Sequence, residues 1–425
     1  MSARLAPAWT LAAYSLLLRL ATPLVFARWW WRGRHEPAYR QWWPERLGFS
    51  RAPGVPGRVW LHAVSLGETR AAAPLIEALR AQRPGLRLLL THGTATGREA
   101  GRALLQAGDA QAWLPYDTPG AVRRFLRQHR PLLGVVMETE VWPNLLHAAR
   151  AAGVPLALAN ARLSERSQAK GLRLAALLHP ALACFKRVLA QTQADADRLR
   201  ASGARGVQVI GNLKFDMAPD AALVARGRAW RQGRAIVLAA VTREGEEAAL
   251  LDAWRALPAP RPLLCVVPRH PQRFDEVAAL VLRAGFTLSR RSAWAAAAPP
   301  PADAAEVWLG DSLGEMPAYY AAARVALLGG SFAPLGGQNL IEAAACGCPL
   351  VMGPHTFNFD QAAELALAAG AALRVPDIGA GVAAAVALAG DERGVAMSSH
   401  ALAFAAAHRG AAVRMAAALL ALLDD

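Results

Sequence analysis

The run VWLHAVSLGETRAAAPLIEALRAQRPGLRLLLT, residues 59–91, decides the fold. Residues 59–61 and 86–91 are apolar runs of strand length, and the Ala/Leu/Arg-rich segment between them is long enough for a helix. Strand, helix and strand in that order build a parallel sheet with helices on its faces. The alternation repeats along the chain. Further strands are expected at residues 133–137, 156–159, 188–190 and 207–210, then at 236–240, 263–267, 307–309, 325–328 and 350–352.

The chain has 425 residues, 54% of them hydrophobic, enough for two cores of roughly 150 to 200 residues each. Between the two sets of strands lies DMAPDAALVARGRAWRQGR, polar and marked by Pro and Gly, the composition of a hinge. The sequence therefore predicts two Rossmann-like, doubly wound α/β domains facing a cleft. The first covers residues 34–216, a linker covers 217–233, and the second covers 234–425, whose last helix can pack back on the first domain. LHAVSLGE and WLGDSLGE, ending at Glu68 and Glu315, each leave a strand and open a helix, a hint of pseudo-symmetry between the halves.

Residues 1–33 read as a membrane anchor. From residue 5 to 27 the chain runs LAPAWTLAAYSLLLRLATPLVFA, with Arg19 as its one charge, about the length of a bilayer-spanning helix. Arg19 can snorkel from a shallow or tilted helix, so a single span and an in-plane anchor both stay open, beside a buried first helix of a soluble domain. RWWWRGR follows, with Trp29, Trp30 and Trp31 among Arg28, Arg32 and Arg34. Aromatic rings with cations suit the headgroup layer, and the positive-inside rule places the rest of the chain in the cytoplasm.

The formal charge of +15 comes from 44 Arg and 3 Lys against 32 acids, which favours anionic partners. No zinc-finger spacing, RNP-like strand or long basic run is present, so nucleic acid is not expected among them. Cys184, Cys265, Cys346 and Cys348 make neither a disulfide framework nor a zinc site, and read as reduced core residues.

In open α/β sheets the ligand sits outside the carboxyl ends of the strands. Glu68 opens a helix there, with Ser65 at capping-box spacing, so it is either a ligand-facing carboxylate or a cap. Glu138 and Glu140 leave the strand at 133–137, and a carboxylate there takes a proton or holds a cation, or else begins a solvated helix. Lys214, in a chain that strongly prefers Arg, suggests a need for a compact point charge. Arg269 directly follows a strand, where it can clamp a phosphate or lie free on the surface. LLGGSFAPLGGQNLIEAAACG pairs exposed glycine backbone with a helix start, an anion site. Glu342, one turn into that helix, can accept from a ribose diol. The only DxD, Asp195 to Asp197, falls in a helical run, so metal-bound nucleotide is not expected.

At these residues the sequence resembles the 3-deoxy-D-manno-octulosonic acid (Kdo) transferases, through RLGFS, LHAVSLGE, LPYDTP, METEVWPN, NARLSERS, GNLKFD, VPRHPQRF, LGDSLGEM, GGSFAPLGGQN and GPHTFNFD in family order. The resemblance implies a GT-B type glycosyltransferase of the bacterial inner membrane, its catalytic domains on the cytoplasmic side. It would transfer Kdo from CMP-Kdo to the lipid A precursor lipid IVA by inversion, with no metal and no cofactor. It further implies Glu68 as proton acceptor and Glu138 and Lys214 as transition-state stabilisers. Pro268, Arg269, Gly314, Glu315, Met316, Asn339 and Glu342 would line the CMP site, with Leu340 and Ile341 at its wall. Two positions depart from the family pattern: Gln338 stands where GGHN has His, and Arg243 where THEGE has His. Rival expectations are another GT-B transferase acting on a lipid, a nucleotide-sugar epimerase, and a non-catalytic membrane protein that binds nucleotide or lipid.

Overall fold

The computed structural model describes residues 8–51, 54–231, 233–294 and 304–424. The chain divides into two compact units, Met1–Met217 with Gly410–Asp425, and Ala218–Arg409. The first unit holds β1 (Val59–His62), β2 (Leu88–His92), β3 (Ala110–Trp113), β4 (Leu133–Met137), β5 (Leu156–Ala161), β6 (Arg187–Ala190) and β7 (Val207–Val209). They form one parallel sheet in the order β3-β2-β1-β4-β5-β6-β7. Alternate residues of β1 point to opposite faces. Trp60 joins the core layer of Phe125, Val136 and Leu158, while Val59 and Leu61 join that of Leu75, Ile76 and Met415. Burial on both faces is what makes these strands continuous apolar runs.

The second unit holds β8 (Ile236–Thr242), β9 (Leu263–Pro268), β10 (Leu288–Arg290), β11 (Val307–Leu309), β12 (Val325–Leu328), β13 (Leu350–Met352) and β14 (Ala372–Arg374). They form a second parallel sheet, β10-β11-β9-β8-β12-β13-β14. Both units are doubly wound, and the strand order reverses between β1 and β4 in the first and between β8 and β12 in the second. Those are the switch points where such sheets bind ligands.

Three expectations need correction. The stretch 217–233 is not a bare linker: it carries the helix Ala221–Ala229, capped by Asp220 and packed on the helix Met316–Ala322 of the second unit. Gly227 marks that packing, not a hinge, because a Cβ there would lie 2.0 Å from the Ala318 carbonyl oxygen. The second unit ends at Arg409 rather than at 425, because the last helix, Ala411–Asp424, packs back on the first unit as expected, against the helix Leu66–Gln82. Asp216 fixes it there by accepting the backbone N–H groups of Gly410 and Ala412. Finally, the SLGE echo is local: Glu68 lies inside the helix that follows β1, whereas Glu315 stands just before the helix after β11, without a side-chain cap bond, and β11 is one place from its sheet's edge.

The N-terminal helix Ala8–Arg32 runs 25 residues with Pro23 inside it. Residues 5–7 of the apolar run lie outside the described residues. Its inner side meets the helices Pro143–Ala151 and Ala175–Leu182 of the first unit. All four cysteines are free and buried. Thr192 caps the helix that holds the DxD by accepting the Asp195 N–H, the Asp195 carboxylate accepts from the Thr192 hydroxyl and from Leu163 N–H, and Asp197 pairs with Arg200, so both carboxylates have structural work.

Candidate active site

Glu68 stands at the first switch point. Ser65 caps the helix Leu66–Gln82 by accepting the Glu68 N–H, and the Glu68 carboxylate in turn accepts from Val64 N–H at 2.9 Å and Ser65 Oγ at 3.1 Å. The Ser65 cap is thus real, with the return bond from Glu68 made to the Val64 N–H rather than to the Ser65 N–H of a strict capping box. It does not exhaust the carboxylate, which has about four acceptor sites. Burial, aided by the nearby Glu138 and Glu140 charges against the Val64 amide, raises its pKa to about 7. A carboxyl group poised there exchanges protons at neutral pH.

Glu138 leaves β4 with φ of 58°, a left-handed conformation uncommon for a residue with a side chain, held by its N–H bond to Ala159 O at 2.9 Å. The partner strand β5 breaks register between Leu158 and Ala161, with Asn160 also left-handed. A bulge of this kind re-aims side chains at a strand end. Asn160 Oδ1 accepts from Leu213 N–H, and Asn212 accepts from Lys214 N–H, which fixes the GNLKFD turn. Lys214 Nζ then lies 4.0 Å from Glu138 Oε1, both side chains partly exposed. The sheet therefore brings Glu68, Glu138 and Lys214 to one set of strand ends. Asn160 and Asn212 were not legible as positioning residues, although both lie inside motifs of the resemblance.

In the second unit Pro268 and Arg269 end β9, Gly314 to Met316 follow β11, and Asn339 to Glu342 open the helix Leu340–Ala345 beyond β12. All sit beyond carboxyl ends of one parallel sheet. Arg269 is exposed and its N–H bonds Thr242 O. Gly314 has φ of 79°. Glu315 is held by Arg226 at 2.8 Å and Arg291 at 2.9 Å, and its pKa stays low despite its burial because of these partners and Ser312. Asn339 caps its helix through the Ile341 N–H. Leu340 and Ile341 are buried, so their side chains belong to the core and only backbone is left to form a wall.

The second switch point has its own bulge. β8 slips register between Ala240 and Thr242, Val241 is left-handed, and Gly329 passes directly beneath it. Glu246 ties the loops together, its carboxylate accepting from Gly330 N–H and Arg243 N–H. Sequence reasoning missed Glu246, whose signal was an acidic first turn after TREG. The two departures from the family pattern meet here: a Cβ on Gly330 would lie 3.4 Å from Gln338 Nε2 and 3.7 Å from Arg243 Cγ.

The sequence agrees with one family of proteins over nearly the whole chain. The 3-deoxy-D-manno-octulosonic acid transferase of Bordetella pertussis is 52% identical over 425 residues, covering 96% of this chain and 98% of that one. The chain belongs to the 3-deoxy-D-manno-octulosonic acid transferase family. The Haemophilus influenzae family member is 35% identical over 82% of this chain and 83% of its own length. The family model described as 3-Deoxy-D-manno-octulosonic-acid transferase (kdotransferase) matches residues 41–217. Among solved structures, Anabaena Alr3699/HepE in complex with UDP has a TM-score of 0.57 at 16% identity, covering 86% of this chain and 99% of that one. The UDP-GlcNAc 2-epimerase of Neisseria meningitidis bound to UDP-GlcNAc gives 0.56 at 14%, with the same coverage. These two share the GT-B type fold alone. An epimerase has that fold too, so it is the family membership that makes this chain a glycosyltransferase.

Proposed function

We propose that this family member transfers Kdo from CMP-Kdo to lipid IVA at the cytoplasmic face of the bacterial inner membrane, by inversion and without a metal. The reading rests on Glu68, a carboxylate at a switch point with a pKa of about 7. The acceptor sugar hydroxyl forms its new bond to the anomeric carbon while the bond from that carbon to the CMP phosphate oxygen breaks. CMP leaves with the bonding electrons, and the hydroxyl proton passes to Glu68. Glu138 and Lys214 stabilise charge at the transition state. Pro268, Arg269, Gly314, Glu315, Met316, Asn339 and Glu342 hold the nucleotide, with Leu340 and Ile341 backbone behind it.

Transfer of radiolabelled Kdo to lipid IVA in detergent with EDTA tests this directly, and the product count gives the number of sugars added. Transfer in EDTA supports the metal-independent reading. Loss of transfer on chelation, restored by a divalent cation, overturns that part, and no transfer at all by folded protein overturns the substrate assignment.

The base should be inactive when protonated, so kcat/KM is expected to rise with pH to a plateau with an apparent pKa near 7. A flat profile between about pH 5.5 and 8 would remove Glu68 as base. At the other switch point, Arg243 supplies the positive charge that Gln338 lacks. Gln338→His is therefore expected to keep activity, whereas Arg243→Ala should raise the KM for CMP-Kdo about 10-fold, as loss of a charge-assisted hydrogen bond would. Steady-state kinetics of the two variants checks both.

A further inference from the structure

The N-terminal helix Ala8–Arg32 is long and apolar enough to cross a bilayer. Its contacts argue otherwise. Tyr14 OH donates to Asp117 Oδ2 at 3.0 Å, and Ser15 Oγ donates to Asn144 Oδ1 at 2.9 Å. Asp117 also accepts the N–H groups of Asn144 and Leu145, so one buried carboxylate fastens the helix to the start of the helix Pro143–Ala151. Further along, Phe26 and Trp29 meet the Tyr116 ring edge-on, and the Arg46 guanidinium lies 4.0 Å from the centre of the Trp29 ring. The helix is thus bonded to the first unit near both its ends.

A spanning helix of this length, about 37 Å, would place some 20 residues in hydrocarbon. With these bonds intact, Asp117, Asn144 and the helix bearing His147 and Arg150 would be drawn in as well. Buried polar and charged groups make that costly. The opposite side of the helix is different: Trp9, Leu16, Leu17, Leu20, Leu24 and Trp31 are all largely exposed. Cations border it. A groove of about 740 Å³ beside the helix is lined by Arg19, Arg123 and His147 together with Ser15, Asn144 and Leu11. An apolar face edged with arginine and tryptophan suits the headgroup boundary of an anionic leaflet.

We propose that the helix Ala8–Arg32 is an in-plane anchor, lying in the surface of an anionic phospholipid leaflet with its outer face in the acyl boundary, and that it does not cross the bilayer. The proposal rests on the membrane attachment given under the proposed function.

Two single-substitution variants of the full chain, Ser2→Cys and Val395→Cys, separate the possibilities in spheroplasts treated with a membrane-impermeant maleimide. The native cysteines are buried and give little background. Val395 is exposed and reports the side of the second unit. An in-plane anchor leaves both variants protected until the inner membrane is permeabilised, after which both label. Labelling of the Ser2→Cys variant alone before permeabilisation shows a span and overturns the proposal. Recovery of the protein in the soluble fraction without detergent overturns the membrane reading itself.

Discussion

Glu68→Gln is expected to reduce turnover by about 10²- to 10⁴-fold, the usual contribution of a positioned general base, with the fold intact. Gln keeps an oxygen for the Val64 N–H, and loses the ability to take a proton together with the second oxygen that accepts from Ser65 Oγ. Stability should separate the two readings of this residue. Because the folded-state pKa is raised from 4.5 to about 7, the carboxyl group's favourable contribution is fully present below 4.5 and is lost as pH rises through 7. The wild type should therefore lose stability relative to Glu68→Gln across that window. Ser65→Ala, by contrast, removes the cap and is expected to cost about 1 kcal/mol with much smaller loss of turnover. A Glu68→Gln enzyme that turns over normally but melts like Ser65→Ala would reduce Glu68 to a capping residue. Transfer rates and thermal melts at about pH 5 and pH 8, on either side of the titration, give the answer.

Gly329→Ala should damage both the stability of the second unit and its nucleotide loops. A Cβ at Gly329 would lie 2.4 Å from the Val241 carbonyl oxygen and 2.7 Å from that of Ala240. Both belong to backbone already committed to the β8 bulge, with Gly329 N–H bonded to Ala240 O at 2.8 Å, so no side chain can swing away. Relief requires the bulge to move, and overpacking of this kind costs about 1–3 kcal/mol. The second unit's melting transition should fall by roughly 2–12 °C, at about 2–4 °C per kcal/mol for a unit of this size. Nucleotide affinity should fall with it, because the bulge also sets Arg243 and, through Glu246, the Gly330 loop. Calorimetry and CMP titration would measure both effects. An unchanged melt would show that the bulge yields easily.

The central strands were legible because burial on both faces leaves them no polar positions: β1, β4, β8 and β12 are apolar throughout apart from their last residues. Three strands were missed, and all are sheet edges. β3 reads AQAW, β10 reads LSR and β14 reads ALR, too short and mixed to stand out; β10 and β14 are partly open to water, and β3 is covered instead by Glu45, which accepts the Trp113 N–H. The helix Ala221–Ala229 was hidden by its own glycine, which signals close helix packing as readily as a hinge. For the candidate carboxylates Glu68 and Glu138, the placement after β1 and β4 could be read, but the bulge that aims Lys214 toward Glu138 could not. That depends on Asn160 taking a left-handed conformation, and apolar patterning carries no trace of it. The roles assigned to the site residues came from the resemblance rather than from pattern.

The Asp216 clamp on the last helix has a consequence for biosynthesis. The apolar face of the helix Leu66–Gln82 is covered by Met415, Leu419 and Leu422, which leave the ribosome some 190 residues after the rest of the first unit. At about 5–20 residues per second, that is a wait on the order of 10–40 s. During it the intervening unit, contiguous in the chain, can complete its own core. The unit translated first is thus the last to finish folding, and it waits with a greasy helix open to chaperones.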